Sequence, residues 1–450
     1  MTDQSDDVVA AAPSSSPDAP PSLRRVVLSG AIGNFIENYD FVAYAFAASA
    51  ISANFFPATD QTAALLATLA VFGVPYLVRP LGAIVFGSLG DRVGRKHLLV
   101  VTIALMAGCT TLIGLLPTYG TIGVFAPILL VLLRMLQGFG FAGEFAGAAT
   151  YVMEHSPRTR RGLTAGLMQS GTGLSYPVLA AVALLLGSTL GSEAFNSWGW
   201  RIIFLISAPL GLVALYIRRK LTESPEFERL RAHKATSAAP LRESVRTQYR
   251  QLVAVTLYLC AYAVGSTMII VYVPVYLRTT VGLDDQTNRI VSVIVLLAMG
   301  LTIPLFGLLV DRLGRRTVRL IATLSLAVIA PLAFSLAVST GVGGALIGFG
   351  LLAVAQGLNF AIAPLTTVES FPAALRYTSA GLAYNITVAI VGGLTPLVVA
   401  WIVASTGSSI APAWFVVALS VLSIFGIVLM RDTSAAATSD MSSGTAVETP

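Results

Sequence analysis

Gly87-Ser-Leu-Gly-Asp91-Arg-Val-Gly94-Arg95-Lys96 returns 220 residues later as Gly307-Leu-Leu-Val-Asp311-Arg-Leu-Gly314-Arg315-Arg316. A second stretch repeats at nearly the same distance. Glu154-His-Ser-Pro157, followed by Arg161 and Gly166, matches Glu369-Ser-Phe-Pro372, followed by Arg376 and Gly381, 215 residues on. Two independent motifs at similar offsets mark a duplicated unit. Around them lie twelve long apolar runs between residues 27 and 430, six on each side of a polar, basic connection at 220–250. About 20 apolar residues carry a helix across a bilayer, and a helix satisfies its own backbone polar groups there. Strands of a membrane barrel alternate and are separated by turns; these runs are long and unbroken. The expected fold is an all-α membrane protein, with twelve transmembrane helices in two pseudosymmetric six-helix bundles.

The composition points the same way. Only 11% of the 450 residues are charged and 55% are hydrophobic, against roughly 25% charged in a soluble domain. Mean hydropathy is +0.80. This excludes an ordinary soluble enzyme, a disordered chain and a nucleic-acid binder. The net charge of +6 is read as the Lys/Arg excess of cytoplasmic loops. The loops holding Arg92, Arg95, Lys96, Arg158, Arg160, Arg161, the stretch Arg218 to Arg250, Arg312, Arg315, Arg316, Arg319 and Arg376 share a side with Arg24, Arg25 and Arg431. The opposite loops hold only Arg201, Arg278 and Arg289. Both termini are therefore expected in the cytoplasm, and the protein in the plasma (inner) membrane.

The expected organisation is a disordered tail at 1–22, a first bundle at 23–219, a linker at 220–250, a second bundle at 251–431 and a second disordered tail at 432–450. Cys109 and Cys260 sit in apolar runs, and the three histidines lack metal-ligand spacing. No disulfide framework, metal site or cofactor is expected. Nothing has the form of a P-loop or a catalytic triad, so no enzyme activity and no catalytic residue is expected.

The repeated loop, with Arg134-Met-Leu-Gln137-Gly138-Phe-Gly140-Phe-Ala-Gly143 in the fourth run, resembles the signatures of the major facilitator superfamily over about residues 24–430. A finer set is similar to the metabolite:H⁺ symporter family: Gly33-Asn34-Phe35-Ile36-Glu37-Asn38-Tyr39-Asp40-Phe41, Val78-Arg79-Pro80-Leu81-Gly82, Gly143-Glu144-Phe145, Trp200-Arg201 and Tyr384-Asn385. The resemblance implies import of an organic acid, or of a zwitterion such as proline or betaine. Its osmolyte branch carries a long coiled-coil tail. The stretch after 431 shows no heptads, which tilts the expectation toward the acids.

Ionisable groups inside apolar helices are expensive and usually functional. Asp40 and Arg134 are expected to form the proton-coupling pair, with a substrate carboxylate competing for the arginine; a static ion pair is the bland alternative. Glu37 lies three residues before Asp40, about 60° around the helix, and is expected to share the proton. Arg79, before Pro80, is expected to bind substrate or pair with Glu37. Arg134, Tyr44, Gln137, Tyr384 and Asn385 complete the expected substrate contacts. Glu144 is placed at the interface of the fourth and fifth segments. Asp91 with Arg95, and Asp311 with Arg315, are expected to latch a cytoplasmic gate. Two cationic contacts favour a di- or aromatic carboxylate imported with a proton by a monomer. A proline/betaine symporter and a sugar:H⁺ symporter are the alternatives.

Overall fold

The computed structural model describes residues 23–56, 61–233 and 235–430, all-helical with no strand among them. The tails expected at 1–22 and 432–450 lie outside the described residues. Nine stretches of helix among those described are long and apolar enough to cross a membrane. Two of the nine, spanning Arg158–Arg219 and Arg315–Glu369, hold two segments each. They reverse at Gly191 and Gly341, whose φ of +77° and +60° lie in the left-handed region that favours glycine. The first segment, Leu23–Phe46, is also helical but falls below that apolarity because Glu37, Asn38 and Asp40 dilute it. Resolved in this way, the spans are twelve.

In chain order the first half holds Leu23–Phe46, Gln61–Val93, Arg95–Leu115, Phe125–His155, Arg161–Ala194 and the run through Trp200–Leu205 and Ser207–Arg219. The second half holds Tyr249–Thr267 continued by Val273–Thr279, then Asp285–Leu313, residues 315–340, residues 341–369, Arg376–Thr387 continued by Gly393–Thr406, and Ala411–Leu429. Between the halves stand two short helices, Pro225–Ala232 and Pro240–Thr247.

The halves meet along two glycine seams. A Cβ on Gly307 of the eighth segment would meet the Gly162 carbonyl oxygen of the fifth at 2.6 Å, and one on Gly300 would meet that of Gly173 at 2.8 Å. On the other side of the pseudo-two-fold, a Cβ on Gly87 of the second segment would lie 2.8 Å from Thr378 Cα of the eleventh. Gly87 and Gly307 are the first residues of the two repeated loops, so the repeat encodes close backbone approach between the halves. Such contact is the main source of helix association where water provides no hydrophobic force.

The connection at 220–250 is docked. Glu223 accepts hydrogen bonds from the backbone N–H groups of Arg95 (3.0 Å) and Lys96 (3.3 Å), capping the third helix. Phe227 is buried with its ring centroid 4.7 Å from the Arg95 guanidinium carbon. Arg201 caps the other end of the third helix through the carbonyls of Gly114 (2.8 Å) and Leu116 (2.7 Å), where cations are favoured.

Candidate functional site

A cavity lies between the halves. From the first half it is lined by Asn38, Phe41, Tyr76, Arg79, Phe141 and Tyr176, and from the second by Tyr262, Ser266, Thr267, Phe360 and Tyr384, with small apolar neighbours. Arg79 is the one charged residue in this lining. It stands twelve residues before Asp91, about 18 Å along the helix at 1.5 Å per residue, deep in the bilayer. Pro75 and Pro80 lie within that helix. Pro80 cannot donate to the carbonyl one turn back, which loosens the helix at the cavity wall.

Arg79 is 2% exposed. Its guanidinium carbon sits 3.7 Å from the Phe141 ring centroid, 4.5 Å from that of Phe41 and 4.7 Å from that of Tyr76. Its Nε has no hydrogen-bond partner, and it forms no ion pair among the described residues. The ring faces partly offset its desolvation, but no carboxylate completes it. A buried cation held this way is ready for an anion.

Arg134 is placed differently. It is fully buried, donates to Gln137 Oε1 (2.5 Å) and the Phe41 carbonyl (3.4 Å), and stacks over Tyr44 at 4.5 Å. Gln137 donates in turn to the Asp40 carbonyl (3.0 Å) and Thr110 Oγ1 (2.8 Å). Asp40 and Arg134 therefore communicate through Gln137 and the backbone and do not form the expected ion pair. The Asp40 carboxylate lies near the Ser207 and Thr110 hydroxyls instead, and neither oxygen has a well-formed hydrogen bond among the described residues. Arg134, Tyr44 and Gln137 stand behind the cavity wall, outside its lining. Asn385 is also outside it, donating to the carbonyls of Ala142 (2.9 Å) and Gly381 (2.8 Å) and so tying the halves together. Arg79 and Tyr384 are the expected contacts that face the cavity.

Glu37 is 2% exposed, with Oε1 unpartnered. It lies in the electrostatic reach of Arg79, Arg218, Glu144 and Asp40. Glu144 is held by Arg218 of the sixth segment in a two-pronged ion pair, Nη1 to Oε2 at 2.7 Å and Nη2 to Oε1, and by the Thr102 hydroxyl at 2.9 Å. Arg218 also donates to the Leu99 carbonyl at 2.6 Å. Gly33 makes the room, since a Cβ there would lie 1.9 Å from Arg218 Nη2. Sequence reasoning counted Arg218 among the loop cations. The signal that could have found it is Glu144 itself, an acid in a membrane helix that needs a buried partner.

The end of the molecule bearing the repeated loops is closed by two equivalent contact sets. Asp91 accepts from the backbone N–H groups of Tyr377 (3.3 Å) and Thr378 (2.9 Å) and from the Thr378 hydroxyl (2.8 Å), at the start of the eleventh segment. Asp311 accepts from the N–H groups of Gly162 (2.7 Å) and Leu163 (2.9 Å), at the start of the fifth. Each loop aspartate thus caps a helix of the opposite half, where orphan donors and the positive helix end favour an anion. Glu154 receives Arg95 of its own half (3.5 Å) and Arg376 of the other (3.0 Å). Glu369 receives Arg315 of its own half (Nη2 at 3.0 Å) and Arg161 of the other (2.8 Å). Asp91 keeps a contact to Arg95 at 3.6 Å, whereas Arg315 is turned from Asp311 to Glu369. The glutamates and the two partner arginines were visible as a repeated motif but were not assigned to the expected gate.

Each cap is worth about 1 kcal/mol. Asp91→Ala with Asp311→Ala should therefore shift the closed-end population roughly 30-fold toward open. Spin labels at exposed His97 and Thr317 should then report a longer distance, with ligand preference unchanged. An unaltered distance distribution would count against the latch.

A family model described as Major Facilitator Superfamily matches residues 30–396 and 255–445. The chain is similar to the glycine betaine/proline/ectoine/pipecolic acid transporter OusA of Dickeya dadantii, 34% identical over 92% of this chain and 84% of that protein. It is similar to the ectoine/proline transporter ProP of Corynebacterium glutamicum, 35% identical over 92% and 85%. In structure it resembles the proton:xylose symporter XylE bound to 6-bromo-6-deoxy-D-glucose, with TM-score 0.76 and 18% identity over 89% of this chain and 94% of that one. At that identity the likeness is one of fold.

Proposed function

The chain belongs to the major facilitator superfamily, and on that premise we propose that it is a proton-coupled importer of small zwitterions of the proline and betaine kind. The observation that carries the reading is Arg79, a buried guanidinium without a carboxylate partner in an otherwise uncharged, aromatic-lined cavity. Its planar donors suit one carboxylate. The di- or aromatic acid expected from the sequence rested on two cationic contacts. Arg134 lies behind the wall, so a second carboxylate would find no second cation. The names of the relatives, which carry proline, betaine and ectoine, support the same choice over an organic acid.

Proton coupling in this reading is local. Glu37 and Asp40 are the buried carboxyl groups nearest the cavity, with oxygens that meet no hydrogen-bond partner among the described residues, and are the candidate proton carriers. Glu37 shares the field of Arg79. A substrate carboxylate docked on Arg79 takes up that field, which favours the proton on Glu37. Releasing both together discharges the site. The halves, 23–219 and 251–431, rock about the cavity with 220–250 as the cytoplasmic strap between them. Both termini face the cytoplasm of the inner membrane, and the monomer suffices.

The test is uptake into proteoliposomes from labelled glycine betaine, proline, oxoglutarate and xylose. Accumulation of betaine or proline only with an inward proton gradient is expected. Gradient-driven uptake of oxoglutarate with indifference to betaine would return the reading to the organic acids.

A further inference from the structure

The second half's share of the cavity lining carries no charge. Tyr262 of the seventh segment, Phe360 of the tenth and Tyr384 of the eleventh converge there. Ring centroids are 5.0 Å apart for Tyr262–Phe360 and 5.9 Å for Tyr262–Tyr384. Phe145 is stacked at 3.7 Å against Tyr384, which fixes that ring. Next to this wall the seventh and eleventh segments each widen into one π-helical turn, at Met268–Tyr272 and Val388–Gly392, and Ile270, Val388 and Gly392 line the cavity from them. Such turns gather at functional sites because they displace backbone locally.

A zwitterion has two ends to place. Its carboxylate is drawn to Arg79. Its cationic end cannot join the Phe41, Tyr76 and Phe141 cluster, which the guanidinium already occupies. The second half supplies no carboxylate to the lining; it offers the ring faces and the Ser266 and Thr267 hydroxyls. Ring faces attract cations within about 6 Å of the centroid, and a quaternary ammonium, with no N–H to satisfy, is their best ligand. A primary ammonium brings three N–H donors that ring faces do not satisfy, and has only the hydroxyl oxygens of Tyr262, Ser266, Thr267 and Tyr384 on this side to turn to.

We propose that the Tyr262–Phe360–Tyr384 wall is the subsite for a methylated ammonium, so that the solute bridges the halves with its carboxylate on Arg79 and its cation on these rings. This rests on the zwitterion reading and adds an order of preference: fully methylated ammonium above secondary amine above primary amine. It also gives binding a mechanical consequence. A solute holding one half by charge and the other by its ring contacts favours the state in which the two walls are closest.

The experiment compares glycine betaine with 3,3-dimethylbutanoate, which has the same shape with carbon in place of nitrogen and keeps the carboxylate. Both are titrated calorimetrically against the full chain in nanodiscs, with oxoglutarate as a third ligand. Betaine is expected to bind roughly tenfold tighter than this carbon isostere. Tyr262→Leu should bring the two to within about twofold, and Tyr262→Phe, which keeps a ring, should retain the preference. If Tyr262→Leu fails to fold, Phe360→Leu provides the same comparison. Equal binding of the isosteres to the unaltered protein would overturn the subsite and leave the zwitterion reading in place. Binding of oxoglutarate alone would overturn both.

Discussion

Arg79→Gln is expected to weaken glycine betaine binding by at least about 30-fold, because truncating one side of a buried, hydrogen-bonded charge pair costs about 2–5 kcal/mol. Uptake should fall in proportion. The ligand-free protein should tell the opposite story. Arg79 is buried against three rings without an ion pair among the described residues, so its charge is a liability until substrate arrives. Gln removes that liability, and the melting temperature of the apo protein in detergent should hold or rise. A stabilised but inactive variant is the signature of a site kept strained for function. Arg79→Lys should fall between, since a lysine keeps the charge but neither grips a carboxylate with two parallel donors nor stacks flat on Phe141. Both effects are read from calorimetry and a thermal melt on the same preparation. If Arg79→Gln destabilises the apo protein and leaves betaine affinity alone, the arginine is packing and the anchor lies elsewhere.

Arg218→Met is expected to do the reverse, and to do it severely. Its guanidinium neutralises Glu144 with two prongs inside the first half, 2% exposed. Removing one partner of such a pair leaves an uncompensated buried charge, at about 3–5 kcal/mol. The variant should express poorly and melt far below the unaltered protein. The pair has little intrinsic worth relative to an apolar filling of similar volume. Combining Arg218→Met with Glu144→Leu should therefore recover most of the lost melting temperature. Recovery in the double variant identifies a structural pair. If the double variant folds but loses proton-driven uptake while still binding betaine, Glu144 belongs to the proton path through its neighbour Glu37.

These two arginines show where the sequence is readable. The repeated Gly-x-x-x-Asp-Arg-x-Gly-Arg loops carry the topology, because their spacing and flanking apolar runs are properties of the chain itself. The rotation of each helix is another matter. In a soluble protein the polar face of a helix points outward and fixes its rotation. In lipid both faces are apolar, so nothing local tells that Arg79 faces the cavity and Arg134 stands behind it. Arg218 ends an apolar run and looks like a loop cation. It is an interior residue only because Gly33 and Glu144, far away in sequence, leave room and charge for it. The closed end bearing the repeated loops has the same limit. Asp91 and Asp311 are conspicuous in the loops, but their partners are helix starts 287 and 149 positions away in the other half. Neighbouring arginines were the natural guess. Glu154 and Glu369 stood in plain view as a repeat, and the two-fold relation between the halves was the clue that they clasp Arg376 and Arg161.

The central claim is that a solute of zero net charge crosses with a proton through the Arg79 cavity. Charge movement tests it most directly. Proteoliposomes on a solid-supported membrane, at symmetric pH, should give an inward positive current when glycine betaine is added, because a zwitterion and one proton together carry one positive charge. Arg79→Gln should abolish that current. Betaine uptake without current would contradict symport, and current or uptake elicited by oxoglutarate in place of betaine would contradict the zwitterion itself.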